Sequence, residues 1–153
     1  MRVNVLTHVS LCMAALLAAP AAMAAPPVLL TATGVDGMHK KEPACMVSFQ
    51  TRNRGTLPLV MFSGEVLPVR TSDGQALETA SMPKVGVAGL SHEQPLVPGS
   101  EGKAWKLNVK NTRCDQVQIR FGKFICSFAG QGCGAIAVEH TGLAGIAPPG
   151  LLK

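Results

Sequence analysis

Four of the five cysteines in this sequence lie after residue 24 and could support redox, metal or structural chemistry, and their spacing distinguishes among the three. Cys126 and Cys133 are separated by six residues, with a Gly-rich segment between them. A thioredoxin-type redox site needs a Cys-x-x-Cys pair at a helix N-terminus, and a four-cysteine zinc site uses similarly close pairs. These two residues are too far apart for either arrangement, and Cys45 and Cys114 have no other cysteine close to them in sequence. The spacing therefore favours structural disulfides.

The first 24 residues have the pattern of a secretory signal peptide. Arg2 precedes a long run rich in Leu and Ala, and no acidic residue occurs before Asp36. Ala22 and Ala24 supply the small residues that a cleavage site after Ala24 requires. The alternative is an uncleaved membrane anchor. We expect a periplasmic or secreted chain with no transmembrane segment after signal cleavage, in which an even number of cysteines forms two disulfides.

Alternation of apolar and polar side chains predicts strands in most of the remaining chain. Cys45, Val47 and Phe49 fall on one face of such a segment. The predicted strands are residues 27–33, 45–53, 58–67, 76–82, 103–110, 116–126 and 133–140. Because no convincing helical stripe occurs after the first 24 residues, we expect an all-β immunoglobulin or fibronectin type III-like sandwich of about seven strands, with a small Greek-key barrel as the alternative.

The chain after the signal peptide (residues 1–24) is long enough for one domain. We expect an N-terminal strand and polar loop over residues 25–44 and the β-sandwich core over residues 45–140. Residues 141–153 form a Gly/Pro-rich C-terminal tail, which either docks as an irregular segment or is mobile.

Strand direction predicts which cysteines pair. In a sandwich of this order, the strand that opens with Cys45 and the strand that follows Cys114 run the same way, so these two cysteines lie at one end. Cys126 and Cys133 then lie at the other end. A disulfide needs Cα atoms about 4.4–6.8 Å apart, which excludes crossed pairings. We expect Cys45–Cys114 and Cys126–Cys133, with a four-residue loop at 128–131 closing the second hairpin.

Met38, His39 and Met46 are ligand types that copper accepts. Their spacing is irregular, whereas copper-handling proteins bunch Met and His at short, regular intervals. The alternative interpretation places His39 in a solvated loop and Met46 in or near the core. We therefore expect no metal or other cofactor, and keep these three residues as the candidate ligands of a periplasmic copper-binding protein.

Catalysis and nucleic-acid binding are both disfavoured. The sequence has no Gly-x-Ser-x-Gly, no close pair of acids and no phosphate-cradling loop. Its net charge of +5 is mild, and with one Trp and no Tyr it lacks stacking surfaces for bases. Six cations form a candidate contact surface for an acidic partner or an anionic envelope, although a sandwich usually places their strands in different sheets; the alternative is a solvated polar face. They are Lys103, Lys106, Lys110, Arg113, Arg120 and Lys123.

Sheet edges and loops are the expected binding surfaces, because Tyr and Trp, which dominate interface hot spots, are scarce. Gly64 and Pro68 indicate a bulge, an edge or an early strand end, and residues 83–102 read as a long loop. The expected partner is a protein. An unprotected edge would also allow a homodimer by edge-strand pairing or strand exchange.

Three segments resemble small exported bacterial fibronectin type III-like proteins, a group that includes an interleukin-receptor mimic. They are "CMVSFQTRNRG", "LVPGSEGKAWKLNV" and "CDQVQIRF", within residues 45–126. The resemblance implies a fibronectin-like fold and a non-enzymatic binding role. We accordingly expect an exported binding module of the bacterial envelope or secretome. The alternatives are a periplasmic copper binder and a structural subunit of a secretion or pilus assembly.

Overall fold

A computed structural model describes residues 25–77, 80–81 and 95–150. The predicted signal peptide and most of the predicted loop at 83–102 lie outside these ranges. The described chain is almost entirely β, as expected. Its elements are β1 (Val28–His39), β2 (Glu42–Asn53), β3 (Leu59–Arg70), β4 (Ala80–Ser81), β5 (Trp105–Lys110), the 3-10 helix η1 (Cys114–Gln116), β6 (Val117–Phe128), β7 (Gln131–Gly132), β8 (Ile136–Thr141) and β9 (Gly145–Ile146).

Two sheets form a β-sandwich. The first has the order β5-β2-β1-β8, and the second has the order β4-β3-β6-β7, with β9 also pairing with β6. The predicted faces are confirmed, since Cys45, Val47 and Phe49 on β2 are fully buried. They meet Phe62 and Phe124 of the opposite sheet in one apolar core. Alternate residues on the inner faces of the two sheets therefore form the core between them.

Residues 36–44, expected to be a polar loop, are instead the distal part of a β-hairpin. β1 pairs with β2 up to His39 and Glu42, so only Lys40 and Lys41 make the turn. Their φ angles are 51° and 70°, and a tight hairpin turn with two positive φ angles usually carries Asn or Gly. No standard turn signal marks the turn itself, whereas Asp36-Gly37 lies within β1, and the polar side chains give the hairpin the composition of a loop.

Both predicted disulfides are confirmed. The Cα atoms of Cys45 and Cys114 are 4.8 Å apart, and those of Cys126 and Cys133 are 5.5 Å apart. The first bond joins β2 of one sheet to η1, which leads into β6 of the other. Beside it, a carboxylate oxygen of Asp36 accepts a hydrogen bond of 2.7 Å from the Cys114 backbone N–H. The second bond spans the β6–β7 hairpin, where Phe128 pairs with Gln131. The connection is therefore two residues shorter than the expected four-residue loop.

The strand expected at 133–140 corresponds to β8, and the short strand β7 precedes it in the other sheet. β7 stays beside β6 for two residues, and β8 lies in the first sheet, parallel to β1, with Val28 opposite Ile136. Gly134 lies between them at a φ of 70°, a left-handed conformation that glycine adopts without strain. The crossing removes this strand from the edge of β6.

The C-terminal tail docks and is partly regular. Leu143 is 8% exposed and belongs to the core cluster. The Ala144 N–H donates to the carbonyls of Cys114 and Val117 at 3.2 and 3.0 Å. β9 then pairs in parallel with Gln118 and Ile119. The tail therefore closes the end of the sandwich that carries the Cys45–Cys114 bond.

Asn53 organises the opposite end of the sandwich. It is fully buried, and its side-chain N–H groups donate to the carbonyls of Leu57 and Leu96 at 2.9 and 2.7 Å. Its side-chain oxygen accepts from the Gly55 N–H at 2.9 Å. Its backbone carbonyl also accepts from the Gly99 N–H. One side chain therefore holds the β2–β3 turn against the segment that leads to β5.

Loss of Cys45–Cys114 should destabilise the fold more than loss of Cys126–Cys133. The first bond closes a much longer loop, so its removal should cost about 4 kcal/mol of unfolding free energy against about 2.5 for the second. Urea unfolding of Cys45→Ala/Cys114→Ala and Cys126→Ala/Cys133→Ala proteins measures both values. Equal losses would contradict this ranking.

Asn53→Ala should lower the free energy of unfolding by about 2–3 kcal/mol, because the buried Leu96 carbonyl, the part-buried Leu57 carbonyl and the Gly55 N–H all lose their partner. Asn108→Ala is the matched control, since Asn108 is half-buried and makes no side-chain hydrogen bond within the described residues. Its substitution should change stability by less than about 0.5 kcal/mol. Chemical denaturation measures both; a similar loss in the control would remove the special role of Asn53.

Leu143→Ala should cost about 2–4 kcal/mol, because it removes a buried side chain from the core. Leu57→Ala serves as the control, since Leu57 is 37% exposed. Thermal unfolding compares the two variants. If Leu143→Ala were no more destabilising than its control, the tail would not contribute to the core.

Candidate functional site

The middle of β6 is open along one edge. β3 pairs with the other edge along most of the strand, while β9 covers Gln118 and Ile119 and β7 covers Ser127 and Phe128. The nearest backbone bonds on the open side go to the carbonyls of Ile119 and Cys126. Between them, no described residue pairs with residues 120–125 on this side. We call this segment the open β6 edge.

A bulge in the β3–β6 ladder shapes the open β6 edge. Gly64 pairs with Phe124 and Val66 pairs with Phe121, so two residues of β6 lie opposite Glu65 alone. Of the alternatives expected at Gly64, which were a bulge, an edge or an early strand end, the structure has a bulge, and its extra residue lies on β6. The Phe124 ring packs directly against Gly64, where any Cβ would collide with it. The bulge therefore has a rigid apolar support on its core side.

Aromatic packing holds the backbone of this segment from below. The rings of Phe121 and Phe124 lie edge to face with centroids 5.6 Å apart, and Phe124 makes a similar contact with Phe62 at 4.9 Å. The side chain of Glu65 lies across Gly122, where a Cβ would be 2.5 Å from a carboxylate oxygen. The open edge is thus part of the packed sheet, and its conformation does not depend on a partner.

Three exposed side chains on the outer face give the open β6 edge its chemistry. Arg120 and Lys123 are exposed, and Ile125 is 48% exposed. Arg120 donates a weak hydrogen bond of 3.4 Å to the Gln118 side chain. Neither cation makes an ion pair with a described residue, whereas four arginines elsewhere do: Arg52, Arg54, Arg70 and Arg113.

The six predicted surface cations are not brought into one patch. Lys106 and Lys110 belong to β5 of the first sheet, whereas Arg120 and Lys123 belong to β6 of the second. Lys103 precedes β5. Arg113 lies beside the first disulfide and forms ion pairs with Asp115 at 3.3 Å and with Asp36 at 4.0 Å. Because β5 and β6 belong to different sheets, Arg120 and Lys123 are the members of this set that lie on the open β6 edge.

Met38, His39 and Met46 are not brought together as ligands. Met46 pairs with Val35, three residues from Met38, so the two methionines point to opposite faces of the hairpin. The Met46 methyl group lies over Gly37. Met38 is 62% exposed, and His39 lies next to the turn rather than in the expected loop. Within the described ranges, no three His, Cys, Asp or Glu side chains group closely enough to hold a metal ion.

Two shallow clefts lie at the ends of the sandwich. One, of about 210 Å³, lies beside the second disulfide and is lined by Arg54, Leu57, Phe128 and neighbouring residues. The other, of about 320 Å³, lies between the β1–β2 hairpin and Arg113. Among the described residues that line them, no nucleophile is paired with a base.

Sequence reasoning identified two of the three exposed side chains of the open β6 edge but not the edge itself. Arg120 and Lys123 were identified as part of a larger basic surface, and Ile125 and Asn53 were not identified. A signal for the crossing does exist, since Cys133 is flanked by Gly132 and Gly134. These glycines mark a break in the strand, but they do not say which sheet the next residues join.

Comparison of the chain with protein-family models, curated proteins and solved structures finds no match. The helical structure within residues 25–77, 80–81 and 95–150 is too short and polar to span a membrane. The two disulfides are compatible with an oxidising compartment.

Proposed function

We propose that this chain is an exported, non-enzymatic binding module of the bacterial envelope or secretome, which takes an extended segment of a partner protein onto the open β6 edge. The observation that carries the proposal is that edge itself. Residues 120–125 have no partner on this side within the described chain, while both ends of β6 are paired. Delivery to the periplasm or beyond is part of the proposal and rests on the signal-peptide pattern and the disulfides.

The dimensions and surface of the edge suit strand addition. At about 3.3 Å per residue, six residues span about 20 Å, which is the length of an ordinary strand. Backbone hydrogen bonds would supply most of the affinity, and alternate side chains would supply specificity. Ile125 offers an apolar contact on the outer face, opposite Ser63 of β3.

The fibronectin type III-like resemblance agrees with a binding role. A subunit of a secretion or pilus assembly is a second candidate, favoured by the same edge, because a neighbouring subunit would then supply the strand. A copper-binding role is less well supported, since Met38 and Met46 lie on opposite faces of their hairpin.

A synthetic peptide that alternates Thr and Val over eight residues tests the proposal. In a nuclear magnetic resonance titration of the exported protein, the backbone amides of residues 120–125 should shift, and those whose N–H groups face the open side should exchange more slowly with solvent. Ile125→Asp should weaken binding about fivefold, because it removes an apolar contact worth about 1 kcal/mol.

Val35→Asp is the matched control, since Val35 is 56% exposed on the other sheet. It should leave the affinity within about twofold of the original. The proposal fails if the peptide leaves residues 120–125 unperturbed, or if the control weakens binding as much as Ile125→Asp does.

A further inference from the structure

On the β3 side, no described acidic side chain lies within ion-pair distance of the two cations of the open β6 edge. Arg120 pairs across the ladder with the apolar Leu67. The nearby acid, Glu65, lies across Gly122, and none of its carboxylate oxygens comes within 4.0 Å of Arg120 or Lys123. Among the described residues, neither side of β6 supplies an opposite charge, and the open side has room for one from a partner strand.

The bulge sets the spacing at which a partner meets these side chains. Arg120 and Lys123 are three residues apart, yet both are exposed on the outer face because the bulge adds one residue to β6. Ile125 follows on the same face. A regular strand placed beside β6 would therefore meet Arg120, Lys123 and Ile125 at every second residue.

Pairing between two copies of this edge is disfavoured by charge. An antiparallel pair of β6 edges would bring two Arg120 and two Lys123 side chains together along one short ribbon. Like charges on neighbouring strands destabilise pairing, and cations on an edge strand commonly prevent self-association. The same cations would attract a strand of opposite charge.

We propose that the open β6 edge selects extended protein segments that carry two acidic residues at alternate positions, followed on the same face by an apolar residue. The acidic side chains lie beside Arg120 and Lys123, and the apolar one contacts Ile125. This selectivity rests on the proposed binding function and names the chemistry of its partner.

Three synthetic octapeptides test the selectivity: Thr-Asp-Thr-Asp-Thr-Val-Thr-Thr, its Lys-for-Asp counterpart and its Thr-for-Asp counterpart. Each is also made in reversed order, because a strand can add in either direction. In titrations followed at the amides of residues 120–125, the Asp peptide should bind about tenfold more tightly than the Lys peptide at low salt. High salt should reduce the difference, because these charges are exposed.

A charge-reversal variant provides the decisive control. Arg120→Glu/Lys123→Glu should invert the order, so that the Lys peptide binds more tightly than the Asp peptide. Lys106→Glu/Lys110→Glu makes the same change in net charge on β5, and it should preserve the original order. If both variants inverted the order of peptide affinities, the preference would follow from the net charge of the protein, and the proposal would be overturned.

The outcomes separate the selectivity from the binding function. Equal binding of all three peptides at residues 120–125 overturns the acidic selectivity and leaves the binding module in place. If none of the peptides binds, both the acidic selectivity and the proposed binding function are overturned. Light scattering adds one further outcome: a dimer whose interface maps to residues 120–125 would make a second copy the occupant and would also overturn the selectivity.

Discussion

The Cys45–Cys114 bond is the constraint on which the arrangement of the two sheets depends. It links β2 of one sheet to the helical turn that starts β6 of the other. The Asp36 carboxylate caps the Cys114 N–H, and the Cys114 carbonyl accepts from Ala144. Because the tail is held at that point, Leu143 enters the core and β9 pairs with the start of β6. The same link therefore closes this end of the sandwich and covers the first part of an edge.

The second disulfide lies at the other end of β6. There the chain leaves β6 after a short hairpin, so it does not cover the middle of the strand. Cys126–Cys133 fixes a very short hairpin, after which the chain crosses to the first sheet and pairs with β1. Both ends of β6 are thus secured, while no residue in the described part of the chain pairs with the open side of its central residues. A strand supported by core aromatics and open on one edge is suited to recognition by backbone pairing, and its two cations oppose pairing with itself.

The exposed cations of the candidate site could be predicted from the sequence, whereas the open edge depends on the path of a distant segment. Arg120 and Lys123 were predicted as surface cations, and both are exposed. Alternation alone places Arg120 on the outer face, whereas Lys123 reaches that face because of the bulge in β6. The open edge was not located, because it depends on where residues 133–140 go after the hairpin. Met38, His39 and Met46 were close in sequence, but hairpin register separates the two methionines onto opposite faces. The polar hairpin was taken for a loop because its turn uses two lysines.

The sequence by itself determined the all-β class, the buried faces and both disulfides. These properties depend on alternation with a period of two and on strand direction, which are local or follow from strand order. Only the tertiary structure decided which sheet receives β8, how the tail docks around Leu143 and which edge of β6 stays open. Those choices depend on competition between distant backbone partners for the same hydrogen bonds, and every candidate strand offers the same N–H and C=O groups whatever its side chains.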